Sequence, residues 1–204
     1  LALLSTACNE ALTAEEAREA MDEVALSSQA LSLSSSSEEL VVETDFTIGG
    51  AVQKAAEEIR AFIGSQLPCA EITLQGGTLS VQYGAVAGDC TYNGHEFSGR
   101  HEITVEFNQP GEVLVLHEWT DLSNGEIEVN GDAEVTWSRE ERSRHIKHKL
   151  KWLRLRDGRT GDGSGQGYGN RGSGSSYATP LVAGVVALML EANDQLHPHI
   201  VKEI

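Results

Sequence analysis

Residues 101–137 read HEITVEFNQPGEVLVLHEWTDLSNGEIEVNGDAEVTW, and this stretch decides the fold. Ile103, Val105 and Phe107 alternate with Thr104 and Glu106, and Pro110-Gly111 turns the chain into Val113, Val115, His117 and Trp119. Asn124-Gly125 turns it again into Ile127, Val129, Ala133, Val135 and Trp137. A period of two with short turns between runs is the pattern of antiparallel hairpins. The same period continues outward on both sides. Downstream, Ile146, His148, Leu150 and Trp152 share one phase; upstream, Ile72 and Leu74 lead through Gly76-Gly77 into Leu79, Val81 and Tyr83. Before them Val52, Ala55, Ala56, Ile59, Phe62 and Ile63 recur at helical spacing and stop ahead of Pro68. The expectation is a mainly β (α+β) fold. An antiparallel meander of about six strands forms a curved sheet or half-barrel with one packed helix, and Trp119, Trp137 and Trp152 sit on its inward phase as core.

The flanks read differently. Thr13-Ala14-Glu15-Glu16 is a capping box and predicts a helix over about 14–26. Seven serines fall in residues 27–37, which predicts a flexible spacer. Leu40-Val41-Val42 to Ile48 looks like a strand, so the β domain is placed at 39–157 and the leader at 1–38. Eight glycines occur in 158–174, and residues 158–173 are expected to be a glycine-rich linker. In the last segment, 174–204, Leu181 to Leu190 is apolar on every side. It predicts a C-terminal helix that needs burial and is too short to cross a bilayer.

The chain has 204 residues and a net charge of −16. Residues 1–138 hold 24 acidic against 4 basic side chains, whereas 139–159 hold nine of the fifteen Lys and Arg. An acidic surface argues against nucleic acid and against anionic membrane as partners. The basic run has a local explanation. Glu126, Glu128, Asp132 and Glu134 share one face of a strand, and Lys147, Lys149 and Lys151 share the outward face of the next, which suits cross-strand pairing.

The three cysteines divide into one and two. Leu3-Leu4-Ser5-Thr6-Ala7 before Cys8 resembles a bacterial lipobox, with Ser5 standing where Leu is usual. That resemblance implies lipid attachment at Cys8, export, and a place at the cell envelope or outside the cell; the other reading is a free cysteine in a frayed terminus. The acyl group would be the only contact with membrane. Cys69 and Cys90 then remain as a disulfide pair, as an oxidising compartment would favour.

Near the C-terminus Gly174-Ser175-Ser176-Tyr177-Ala178-Thr179-Pro180 leads into the apolar helix. Residues 172–193 resemble the serine-nucleophile segment of the subtilases, most of all the kexin and furin branch. The resemblance implies a serine endopeptidase acting on polypeptide substrates, with Ser176 as nucleophile and a helix N-terminus beside the developing oxyanion. In that family the helix is surrounded by a parallel sheet. A serine hydroxyl needs a base and a group that orients the base. The family writes these as Asp-Ser/Thr-Gly and His-Gly-Thr-x-Val-Ala-Gly, and neither motif stands in residues 1–173. The expectation is therefore a subtilase-related chain that is catalytically incomplete. The alternative is an exported, lipid-anchored, non-enzymatic sheet protein with a binding or structural role.

No other constellation adds chemistry. His145 and His148 are three apart, which puts them on opposite faces of a strand; His117 lies on the apolar phase as a core residue; His95 and His101 flank the Cys90 loop and read as surface. There is no phosphate loop and no paired-cysteine zinc pattern, so neither cofactor nor metal is expected.

Overall fold

The computed structural model describes residues 13–42, 44, 48–138 and 143–170. Helix α1 spans Ala14–Val42 and α2 spans Val52–Gln66. Nine strands follow: β1 Glu71–Gln75, β2 Thr78–Tyr83, β3 Thr91–Tyr92, β4 His95–Glu96, β5 Ser98–Gln109, β6 Glu112–Ser123, β7 Ile127–Ser138, β8 Ser143–Arg154 and β9 Thr160–Asn170. Seven of them form one antiparallel sheet in the order β1-β2-β5-β6-β7-β8-β9, and β3-β4 is a separate small hairpin. With β1 and β9 at opposite ends, the sheet is open. The mainly β, α+β expectation holds, with seven strands where about six were expected.

The turns lie where the sequence puts them. Gln75↔Thr78 closes around Gly76-Gly77, and Gln109↔Glu112 closes around Pro110-Gly111. The alternation also holds: Trp119, Trp137 and Trp152 are all buried, and so are Ile103, Val113, Val129 and Ile146. Register shifts interrupt β5–β6 between Val105 and Phe107, and β6–β7 between Trp119 and Leu122. Such bulges bend a strand and sharpen its twist.

One face of the sheet is roofed by two helices rather than one. α2 buries Ala55, Ala56, Ile59 and Ile63 and touches β1, β2 and β5; α1 touches β6 to β9. The N-terminus of α1 is the expected capping box. The Thr13 amide donates to Glu16 Oε2 at 2.7 Å, and the Glu16 amide donates to Thr13 Oγ1 at 3.2 Å. The Thr13 amide and the Thr13 hydroxyl both donate to the Glu16 carboxylate and lower its pKa.

Three readings of the flanks are corrected. The helix does not stop near 26; it runs through the serine tract and through Leu40-Val41-Val42, so neither a spacer at 27–37 nor a strand at 40–42 exists. The reason is a buried stripe of Leu26, Ala30, Leu33, Ser37 and Leu40, spaced three or four apart. Two of the serine hydroxyls that would compete with the helix are satisfied within it, Ser37 Oγ donating to the Ser34 carbonyl at 2.7 Å and Ser34 Oγ to that of Leu31 at 3.1 Å. Packing then outweighs propensity.

The third correction is the glycine linker. Residues 160–170 form β9, paired with β8 from Leu153↔Thr160 to Ser143↔Asn170. Each glycine inside a strand costs roughly 0.5–1 kcal/mol relative to alanine, so composition alone argued for a loop. At Gly161 the packing explains the choice: a Cβ there would collide with the Trp152 indole.

Candidate functional site

The inner face of the sheet carries more polar groups than a core needs. In register, Val81 pairs with His101, His101 with Trp119, and Ile103 with His117. His101 and His117 are 0% and 2% exposed. The Tyr83 hydroxyl lies 3.1 Å from His101 Nδ1, and His101 Nε2 lies 2.9 Å from His117 Nδ1. One assignment satisfies both contacts: the Tyr83 hydroxyl donates to His101 Nδ1, and His101 donates from Nε2 to His117 Nδ1. Trp119 stacks on both imidazoles at 5.6 and 6.0 Å and donates from Nε1 to Ser37 Oγ at 2.8 Å, which ties the line to α1.

Burial sets the charge of this line. It pushes the His117 pKa down to about 3 and, helped by the neighbouring His117, pushes His101 well below the usual imidazole range. It also raises the Tyr83 phenol. All three groups are therefore neutral at pH 7 and sealed from solvent. The line can hold a proton in place, but it gives no substrate access to one. The expectation that His117 is a core histidine holds. The expectation that His101 is a surface residue is corrected: it shares the inward phase of Ile103 and Val105, a signal the sequence contains.

Further along the same face, Glu38 of α1 and Arg144 of β8 are both buried. Loss of water pushes the Glu38 carboxyl up to about 8, outweighing the attraction of Arg144, so it is protonated near neutrality. Arg144 lies over the ring of its cross-strand partner Trp137 at 5.7 Å. Arg144 Nε, Trp137 Nε1 and Trp152 Nε1 are buried donors without a hydrogen-bond partner among the described residues. Trp137 and Trp152 were expected in the core and are there; no reading of the sequence singled out Glu38 or Arg144, because α1 had not been extended far enough to reach them.

The rest of α1 is clasped from outside. Asp22 receives Arg154 at 3.1 Å and Arg159 at 2.7 Å, and the hairpin side holds Ser32 Oγ 3.1 Å from His95 Nε2 and Glu39 Oε2 2.7 Å from Asn93 Nδ2. A cleft of about 550 Å³ opens beside this clasp between α1 and the end of β8, lined among others by Leu26, Gln29, Glu126 and Arg156.

The remaining expectations can be located. Cys69 and Cys90 form a disulfide with Cα atoms 5.3 Å apart. On the outer face Glu134 pairs with Lys147 at 3.1 Å and Asp132 stands opposite Lys149, so the basic run faces its acidic neighbour as expected. His148 is buried on the inward phase and His145 stands on the other. No group of three metal-ligating side chains occurs among the described residues. Ser176, the expected C-terminal helix and Cys8 lie outside the described residues.

Comparison with known proteins bears on that last segment. Residues 119–204 match the model of the subtilase family. The resemblance read from 172–193 thus extends upstream into β6 and takes in β7, β8 and β9. Those strands pair antiparallel, so the parallel sheet that surrounds the helix in that family is not what the described part of the match forms. No curated protein and no solved structure matches the chain.

Proposed function

We propose that this chain is a non-hydrolytic relative of the subtilases: a sheet scaffold followed by a nucleophile segment of the kexin and furin type, with Ser176 in its turn and neither of the sequence motifs that carry the family's base and acid. The observation that supports the reading is the fate of three of the seven histidines, those described on β4, β5 and β6. His101 has both ring nitrogens engaged by Tyr83 and His117, and both imidazoles are buried and neutral. His95 is turned to Ser32. A general base has to be within hydrogen-bond reach of the hydroxyl it deprotonates, and a side chain locked inside the core cannot serve a substrate. The family match over 119–204 supports kinship, while the absent His-Gly-Thr and Asp-Ser-Gly motifs support loss of hydrolysis. A fluorophosphonate probe is expected to leave Ser176 unlabelled in the purified chain. Stoichiometric labelling that disappears in Ser176→Ala overturns the reading.

A second reading concerns place rather than chemistry, and the disulfide favours it. Cys69–Cys90 needs an oxidising compartment to persist, and the lipobox-like run before Cys8 supplies a route there. On this reading the protein is exported and held at the cell envelope by an acyl group on Cys8, and the sheet is a binding or structural module. Metabolic labelling with a radioactive fatty acid is expected to mark the protein and to fail in Cys8→Ser; equal labelling of both removes the anchor.

A further inference from the structure

Both helices lie on the inner face of the sheet, and the outer face is mostly charged: Glu102, Glu118, Asp132, Lys147, Lys149 and Lys151 alternate with the core positions of β5 to β8. One part of it is apolar. Val113 and Val115 are fully buried toward the helices, so Leu114 between them points outward, and Leu116 follows on the same side. The register shift after Val105 adds a third side chain. Ile103 and Val105 face inward, but the shift makes Leu114 the partner of Phe107 and so turns that ring to the outer face. Thr136 and His145 continue this row across β7 and β8. Phe107, Leu114 and Leu116 are half-buried, and none of them belongs to the core cluster or packs against it. A solvated sheet face is ordinarily polar at such positions.

The chain itself supplies a cover of matching chemistry. Residues 181–190 carry no polar side chain, and a run of that composition has to be surrounded by protein. The inner face is already taken, since α1 and α2 lie over it and leave Leu79, Val81, Val113 and Val129 with 0% exposure. The exit of the chain agrees with the outer face. β9 ends at Asn170, opposite Ser143, which stands opposite Ser138, which stands opposite Glu112. The chain thus leaves β9 two residues beyond the level of Leu114 and three strands away, about 16 Å from it. Residues 171–180 can reach up to about 35 Å. A segment tethered so closely acts at an effective concentration on the order of millimolar, which favours it over a second copy of the chain.

We propose that residues 181–190 dock on the outer face of the sheet, over Phe107, Leu114 and Leu116, so that the sheet is covered on both sides and the subtilase-like segment is held by the strands that precede it. The occupant follows from its composition, its reach and the inner face being taken. The patch is on this account an internal docking surface, and the bulge that re-aims Phe107 is part of it.

Photo-crosslinking tests the contact directly. With p-benzoylphenylalanine in place of Phe107 in the full chain, irradiation is expected to join position 107 to residues 181–190 of the same molecule, as mapped by mass spectrometry of the monomer band. Deuterium exchange tests its energetic weight. The amides of 181–190 are expected to be protected in the wild type at a level independent of protein concentration. Leu114→Glu should speed their exchange at least about tenfold and leave β7 and β8 protected. If Leu114→Glu loses its sheet by circular dichroism, the crosslink at position 107 decides alone. Crosslinks that join two chains point to a second copy and refute the proposal. So do crosslinks that fall outside 181–190, a photoprobe that reacts with solvent only, or exchange in 181–190 that a folded Leu114→Glu leaves unchanged.

Discussion

Replacing Glu38 by Gln is expected to stabilise the protein in alkaline solution and to do almost nothing in mild acid. In the folded chain burial raises the Glu38 carboxyl from 4.5 to about 8, whereas in the unfolded chain it titrates near its ordinary value. A folded-state pKa above the unfolded one means that the native state holds the proton longer. The stability is therefore full below about pH 4.5 and is lost progressively as pH rises toward 8. The difference between 4.5 and about 8, at about 1.36 kcal/mol per tenfold change in proton affinity, amounts to roughly 4–5 kcal/mol at the alkaline end. Glutamine has the same shape and no proton to lose, so it removes that loss. Guanidinium unfolding of wild type and Glu38→Gln at about pH 5 and pH 8.5 should give similar midpoints at the lower pH. At the higher pH the variant should be more stable by several kcal/mol. A difference between the two proteins that is the same at both pH values refutes the buried, protonated carboxyl.

The histidine pair makes the opposite demand. Burial depresses His117 to about 3 and His101 well below 6.5, so their contribution is present above the unfolded value and lost as pH falls through the window from about 6.5 downward. Stability should decline on acidification, and His117→Gln should flatten that decline while lowering stability at pH 7; an acid limb as steep as wild type counts against the neutral pair. Leu33, fully buried on the face of α1 that meets the sheet, should cost about 2–5 kcal/mol when cut to alanine. A loss under about 0.5 kcal/mol, the range of surface substitutions, would mean that α1 is not packed as described.

The sheet was legible because its code is redundant: alternation, a turn every dozen residues and three inward tryptophans all agree. The disulfide was legible by arithmetic, since Cys69 and Cys90 are the pair that remains once Cys8 is assigned elsewhere. Two elements were not, and for one physical cause. Serine over 27–37 and glycine over 161–169 carry little of the side-chain signal on which periodicity rests, so their structure is imposed by what they pack against. Leu33 and Trp152 impose it here, from a neighbouring turn of helix and a neighbouring strand. His101 was misplaced although its phase with Ile103 was readable. Glu38 and Arg144 escaped notice because their meeting depends on a helix reaching from Ala14 to Val42 across four strands. As for Ser176, the sequence alone speaks, and it speaks of kinship more clearly than of chemistry.

The clasp of Asp22 by Arg154 and Arg159 has a consequence for the order of events during synthesis. Partners 132 and 137 residues apart cannot meet until nearly all the intervening polypeptide has left the ribosome, and contacts of such long sequence separation are slow to form. Helix α1 is thus made long before it can be fully clasped. Its buried leucines can meet β6 and β7 earlier, but the ionic clasp on Asp22 closes only when Arg154 and Arg159 arrive at the end of β8 and the turn into β9.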